Sequence, residues 1–257
     1  MILTNENYFS AEANNEFMSV SQFKAFEKCP ACAMAELRDE YKREKTPALL
    51  VGSYVDAYFE GALDAFKAEN PEIFKRDGTL KADFVQAETI IERIERDELF
   101  MEHLSGEKQV IMTGFIAGVP VKIKIDSLCA DKIVDLKIVK DFANIYVDGK
   151  GALPWFEAWG YDLQGAVYQE IVRQNTGKVL PFYLAVATKE KAPDVDIVHI
   201  GQRYLDISRD RFEYDAPTFD AIKKGIIEPE RCEKCDYCKN TKVLTVPTEA
   251  DEFYFDM

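Results

Sequence analysis

"KIKIDSLCADKIVDLKIVK", residues 122–140, alternates like two short β-strands yet carries charge where a buried strand would be apolar. Successive strand side chains point to opposite faces. Lys122, Lys124 and Asp126 therefore share one face of the first strand, opposite Val121, Ile123 and Ile125. In the second strand Asp135 and Lys137 share a face, opposite Val134, Leu136 and Ile138. The apolar sets suit packing against a helical layer. The charged sets are expected to meet on the reverse face, placing two carboxylates beside a lysine. Clustered carboxylates repel unless a cation offsets them. Oxygen donors select a hard ion, magnesium or manganese, and such an ion suits hydrolysis of a phosphodiester. For these two strands alone, a solvated hairpin with a Lys–Asp cross-strand pair is the plain alternative.

Upstream of this stretch the chain reads as helical. "SVSQFKAFEKCPACAMAELRDEY" opens with a Ser19 or Ser21 cap, and "PALLVGSYVDAYFEGALDAF" has Pro47 in its first turn. "KADFVQAETIIERIERDELF" turns Ile90, Ile91 and Ile94 inward and its acids outward. At residue 107 the texture changes. "EKQVIMTGFIAGVPVKIKIDSL" reads as a hairpin turning near Ala117 and Gly118, and "KIVDLKIV" as a third strand. "LPWFEAWGYDLQGAVYQEIVRQNTG" is a long helix ending at Gly177; "LPFYLAVATKE" and "VDIVHIG" are further strands; "RDRFEYDAPTFDAIKKGI" is largely helical. No repeat or low-complexity linker interrupts the series. The expectation is one mixed α/β domain over residues 1–257, with a core at about 19–240 and an acidic tail at 245–257.

Composition narrows the function classes. A formal net charge of −14 opposes indiscriminate nucleic-acid binding, so a DNA role needs a local basic groove or bound cations. No stretch approaches a membrane span, and "MILTNENYFSAEANNEF" has neither the basic start nor the apolar run of a signal peptide. A cytoplasmic protein is expected. The two histidines, His103 and His199, lack ligand-like neighbours, which leaves chemistry based on a histidine poorly supported. Five of the six cysteines cluster as Cys29 and Cys32, then Cys232, Cys235 and Cys238. In a reducing compartment that spacing points to metal or cluster ligation rather than disulfides. Cys129 reads as a buried strand residue.

Asp126, then Asp135-Leu136-Lys137 nine positions later, then "QGAVY" at 164–168 together resemble the PD-(D/E)XK nuclease superfamily. The similarity is to its RecB-type and exonuclease VIII (RecE) branch, phage relatives included, and spans residues 19 to 240. Gln164 and Tyr168, four apart, share one helical face and match that branch's Q-x-x-x-Y motif. Its upstream G-x-x-x-H corresponds here to "GSYVD", so Asp56 stands where a metal-holding histidine is usual. Glu107, nineteen residues before Asp126, occupies a place where relatives often carry an acid. "SVSQFKAFEKCP" resembles the opening of relatives in which one N-terminal cysteine and three C-terminal ones hold an iron–sulfur cluster. Cys29 with Cys232, Cys235 and Cys238 matches that arrangement, and a four-iron–four-sulfur cluster needs four thiolates. Two departures stand out: Ala31 replaces the arginine that commonly follows Cys-Pro, and the C-terminal cysteines are more closely spaced. Four-thiolate zinc is the competing reading, free cysteines the bland one, and Cys32 a spare or alternative ligand.

The resemblance implies a restriction-endonuclease-like core, with a central mixed β-sheet flanked by helices. It implies magnesium or manganese held by Asp126, Asp135, the Leu136 carbonyl and either Glu107 or Asp56. Lys137 would position the attacking water and stabilise phosphoryl charge, Gln164 would orient water or substrate, and Tyr168 would contact a backbone phosphate. Lys122, Lys124 and Lys140 would form a positive strip for DNA. The implied activity is removal of nucleotides from duplex DNA ends in recombination or repair, beside a single-strand annealing protein and in a homo-oligomeric ring. Single-strand-specific or endonuclease cutting, or a non-catalytic binding module on the same fold, are the alternatives.

Overall fold

A computed structural model describes residues 1–43, 46–247 and 249–250. Among the described residues, seven α-helices precede the first long strand: α1 (Ala11–Glu16), α2 (Val20–Lys28), α3 (Pro30–Leu37), α4 (Pro47–Phe59), α5 (Leu63–Glu69), α6 (Ala82–Glu95) and α7 (Glu98–His103). Then follow β1 (Glu107–Ile116), β2 (Val119–Leu128), β3 (Ile133–Val139) and a small hairpin of β4 (Ile145–Val147) and β5 (Gly151–Leu153). The chain continues through α8 (Trp155–Ala158), α9 (Tyr161–Thr176), β6 (Phe182–Thr188), β7 (Val195–Ile200), α10 (Gln202–Lys223) and α11 (Asp236–Asn240). Of the expected acidic tail, residues 248 and 251–257 lie outside the described residues.

Four expected helices are each split in two, and local chemistry accounts for the breaks. Ser19 caps α2 by accepting from the Gln22 amide. Cys29 then leaves the helical region, at φ −167°, because the ring of Pro30 disfavours it there, and α3 starts afresh. Gly160, at φ 64°, makes the left-handed step that separates α8 from α9. Asp97 restarts the chain as α7 by accepting from the Phe100 amide. The turn at Glu60–Ala62 likewise divides α4 from α5. The β4–β5 hairpin, turning at Asp148-Gly149, was not among the expected elements, because its strands are only three residues each.

The five-stranded sheet runs β1-β2-β3-β6-β7. Its β3–β6 pair is parallel and the other pairs are antiparallel, with the crossover between β3 and β6 passing through α9. Helices cover both faces. On one, α2, α9 and α10 pack through Phe23, Leu163, Val167, Ile171 and Phe212. On the other, α4, α6 and α7 pack through Tyr54, Val55, Ile90, Ile94 and Phe100. Gly165 permits the close seat of α9 on the sheet, since a Cβ there would lie 2.4 Å from the Phe182 ring.

Alternation correctly separates the side chains of each strand, but the reading of one shared reverse face needs correction. Val121, Ile123 and Ile125 of β2 join the α9 layer, whereas Val134 and Leu136 of β3 join the α4–α6 layer. Asp135 therefore shares the parity of Ile133 and Val139, which face α9. With both faces of the sheet covered, the described residues leave no open charged face. The acids meet where the two strands part. Among the described residues, no helix is long and apolar enough to cross a membrane.

Candidate active site and cysteine site

The strands β2 and β3 pair only at Ser127–Val134 and Leu128–Ile133. Beyond that point they fork, and Asp126 and Asp135 stand in the crotch. The carboxylate of Asp126 replaces the missing ladder partner: its Oδ2 accepts from the Leu136 amide at 2.9 Å. Further along, the vacated edge of β2 is taken by Met18, whose amide donates to the Pro120 carbonyl and whose carbonyl accepts from the Lys122 amide. A cleft of about 850 Å³ opens there, lined by the N-terminal segment, α2, α4, α5, β2 and α9.

Buried charge dominates the floor of this cleft. Asp135 is 1% exposed, ion-paired through Oδ2 to the Lys137 ammonium, and its Oδ1 accepts from Gln164 Nε2 at 2.7 Å. That Oδ2 accepts no hydrogen bond of good geometry beyond the ion pair. Asp56 reaches in from α4 with a buried Oδ1 that has no hydrogen-bond partner. Burial lifts its pKa; Lys137 opposes the shift, Asp135 and Glu60 add to it, and the result is about 7. Burial and then the charge of Asp135 raise Asp126 well above the usual carboxylate range. For Lys137 burial disfavours the charge, but Asp135 and Asp126 outweigh it and keep the ammonium protonated. Three carboxylates thus crowd around one lysine with acceptor atoms unused. The donor set fits a hard divalent cation, which would supply the missing positive charge.

Asp56, Asp126, Asp135, Lys137 and Gln164 are brought together by the fold, with Leu136 between the two β3 residues. Gln164 contacts Asp135 itself, so it positions an acid. The Tyr168 hydroxyl donates to the Lys124 carbonyl at 2.9 Å, and the side chain, 8% exposed, borders the cleft. It props α9 against β2. The expected lysine strip does not form. Lys122 is 1% exposed, its ammonium bound to the Tyr8 carbonyl and Asn14 Oδ1, because β2 runs beneath the N-terminal segment. Lys140 is 93% exposed, paired with Asp141 at 3.3 Å and absent from the cleft wall. Of these three lysines, Lys124 lines the cleft beside the Phe9 ring, while Lys122 borders it with its ammonium already bound. Glu107 is exposed and registers opposite Leu128, on the paired side of the fork, so it misses the site.

Two cleft residues escaped the sequence reading. Glu60 lies one helical turn after Asp56, on the same face, and accepts from Gln109 Nε2 at 2.6 Å; the i,i+4 pair of acids was the available signal. Lys24 of α2 donates to the Trp159 carbonyl at 3.1 Å. Burial and the neighbouring Lys137 draw its pKa down to about 8. Nothing local marks Lys24, since its approach depends on the fold. His103 is buried and bonded to the Leu99 carbonyl, and His199 is exposed on β7, so neither reaches the cleft. Cys129 is half-buried just past the end of β2 rather than within it.

A second cluster forms where α3 meets α11. The sulfurs of Cys29, Cys232, Cys235 and Cys238 all lie within 4.8 Å of one another, and these donors can hold a metal. Cys32 stands outside the set, its sulfur facing Glu36 and Arg43 at 3.9 Å each. Backbone amides draw the Cys232 thiol down to about 6, while burial pushes Cys29 upward.

Comparison with known proteins agrees with this architecture. A crystal structure of a "putative exonuclease" from Eubacterium rectale is 49% identical, with all of each chain aligned and a TM-score of 0.96. The structure of SSO0001 aligns over 85% of this chain and 93% of its own at 13% identity, but its TM-score of 0.28 carries no weight. No curated protein matches the sequence. The model of a PDDEXK-like domain of unknown function (DUF3799) matches residues 19–241, from the cap of α2 through the cysteines beside α11. With a mixed sheet forked at two aspartates and Lys137 beside them, the chain has a nuclease fold and belongs to this PDDEXK-like family.

Proposed function

We propose that the protein is a divalent-metal-dependent deoxyribonuclease that degrades DNA from its ends. The observation that carries this reading is the group of Asp56 and Asp126, which line an open cleft, with the buried Asp135 and its partner Lys137 behind them. Asp126, Asp135, Asp56 and the Leu136 carbonyl would hold the cation, with Glu60 one turn away. When bound, the cation supplies Lewis-acid charge for the phosphoryl group and acidifies water.

The chain's own residues do the rest. Gln164 fixes one oxygen of Asp135 and leaves the other to Lys137. Lys137, held protonated by its acids, acts as a fixed cation that donates to a phosphoryl oxygen as charge develops. It is not the base. Tyr168 holds the β2 backbone at Lys124 two residues from Asp126, and Lys124 and Lys24 give the cleft positive charge against the overall −14. Exonuclease action draws support from the 49%-identical neighbour described in those terms. Duplex ends, a role in recombination or repair, and an annealing partner or ring follow from the resemblance to phage-type enzymes. Linear and covalently closed DNA, incubated with magnesium or manganese and wild type or Asp135→Ala, test the reading. Metal-dependent loss of linear DNA alone, abolished by the substitution, is expected. Cleavage of closed circles would replace the exonuclease reading with an endonuclease; no cleavage of either would favour a binding module.

A further inference from the structure

We propose that the four cysteines hold a single tetrahedral zinc ion and not the four-iron–four-sulfur cluster that the resemblance implies. The size of the sulfur tetrahedron decides between them. With metal–sulfur bonds of about 2.3 Å, four thiolates around one ion lie about 3.8 Å apart. A cubane places an iron, not a shared centre, behind each thiolate. Its irons are nearly 3 Å apart and each thiolate stands one bond further out, so the sulfur–sulfur edges grow to roughly 6 Å. In the protein, Cys29 Sγ lies 3.5 Å from Cys238 Sγ, and Cys232 Sγ lies 4.0 Å from Cys238 Sγ. No ligand atom of the four is more than 4.8 Å from another. The set is too small for the cluster and matches one ion.

Backbone hydrogen bonds hold the sulfurs at that spacing. The Cys32 amide donates to Cys29 Sγ at 3.5 Å, Cys235 to Cys232 at 3.3 Å, and Cys238 to Cys235 at 3.5 Å. Widening the tetrahedron to cubane size would pull sulfurs away from these donors. Four soft donors in a tetrahedron select zinc or iron, and zinc binds such a site more tightly than ferrous iron. Four protein ligands leave no open position, the mark of a structural site. The ion would tie α3 to α11, joining residues 209 positions apart in sequence. Because α2 leads directly into Cys29, it would also anchor the wall that carries Lys24 into the cleft.

The test is metal and acid-labile sulfide analysis of the full chain purified without oxygen, alongside Cys238→Ser and Cys32→Ser. One zinc per chain, no sulfide and no absorption at about 400 nm are expected. The zinc should be lost from Cys238→Ser and retained in Cys32→Ser, and cobalt substitution of wild type should give tetrahedral thiolate bands. Iron with sulfide, a single iron, or a wild-type chain that takes up no zinc on titration would each overturn the assignment. The stoichiometry of wild type decides the question even if Cys238→Ser fails to fold. None of these readings depends on nuclease activity, so failure here leaves the proposed reaction standing, and the converse holds.

Discussion

The two polar clusters of this protein differ in how nearly complete they are. At the fork of β2 and β3, the buried Asp135 and the half-buried Asp56 and Asp126 share one lysine, acceptor atoms stay unpaired, and one side opens on a cleft. Beside α11, four sulfurs surround one another and take three backbone amides, with Cys238 fully buried. The first arrangement is costly unless a cation and a substrate enter; the second leaves an ion no place for substrate. Charge crowding left open serves chemistry, whereas donor saturation serves architecture.

Substitutions can break this comparison at its strongest point first. Asp135→Asn and Lys137→Met should each lower nuclease activity by about 10³-fold or more, but their stabilities should move in opposite directions. Removing a carboxylate relieves repulsion, so metal-free Asp135→Asn should unfold no earlier than wild type. Removing the lysine leaves the acids uncompensated and should cost on the order of 3 kcal/mol, read by denaturant unfolding. Equal destabilisation of both would refute the crowding argument. Metal removal sharpens the contrast. Mild chelation should stop cleavage with little change in Tm, while stripping the thiolate-bound ion should lower Tm by about 10 °C.

A pH series probes Asp56. Its folded pKa of about 7 exceeds the ordinary 3.8, so between those values the folded protein keeps a proton that the unfolded chain has released. Stability of the metal-free protein should therefore fall as pH rises through that window, and Asp56→Asn should flatten the fall, with a difference of a few kcal/mol at most at pH 8. A slope unchanged by the substitution would place the titration elsewhere. Smaller still, Gln164→Ala should reduce activity by about 10–100-fold through loss of its hold on Asp135. Tyr168→Phe should cost about 1 kcal/mol of stability, because it loses one hydrogen bond to a strand carbonyl.

Much of the site was legible in the sequence because its residues follow local periodicities. Asp135 and Lys137 are two apart on a strand, Gln164 and Tyr168 four apart on a helix, and Cys232, Cys235 and Cys238 three apart in a knuckle. The hairpin turn at Ala117-Gly118 was legible too, since both residues take positive φ, 48° and 78°. Lys122 misled because alternation places it beside Lys124 and Asp126, yet says nothing of the N-terminal segment that covers it. Glu107 misled for a related reason: being near Asp126 in sequence does not say on which side of a fork it lies. Glu60 and Lys24 were passed over because their distance to Asp135 is set by packing between layers, and no repeat along the chain encodes that.

In "KIKIDSLCADKIVDLKIVK" the sequence by itself determined the strands, the alternation within each and the acids and lysine that carry the chemistry, because backbone geometry fixes those from neighbour to neighbour. Only the tertiary structure decided that the apolar sides of the two strands face opposite helical layers. It also decided that their separation creates the cleft, and that the four sulfurs close to the size of one ion. Each of these depends on contacts between segments far apart in the chain, whose spacing is set by the packing of whole layers rather than by any local pattern.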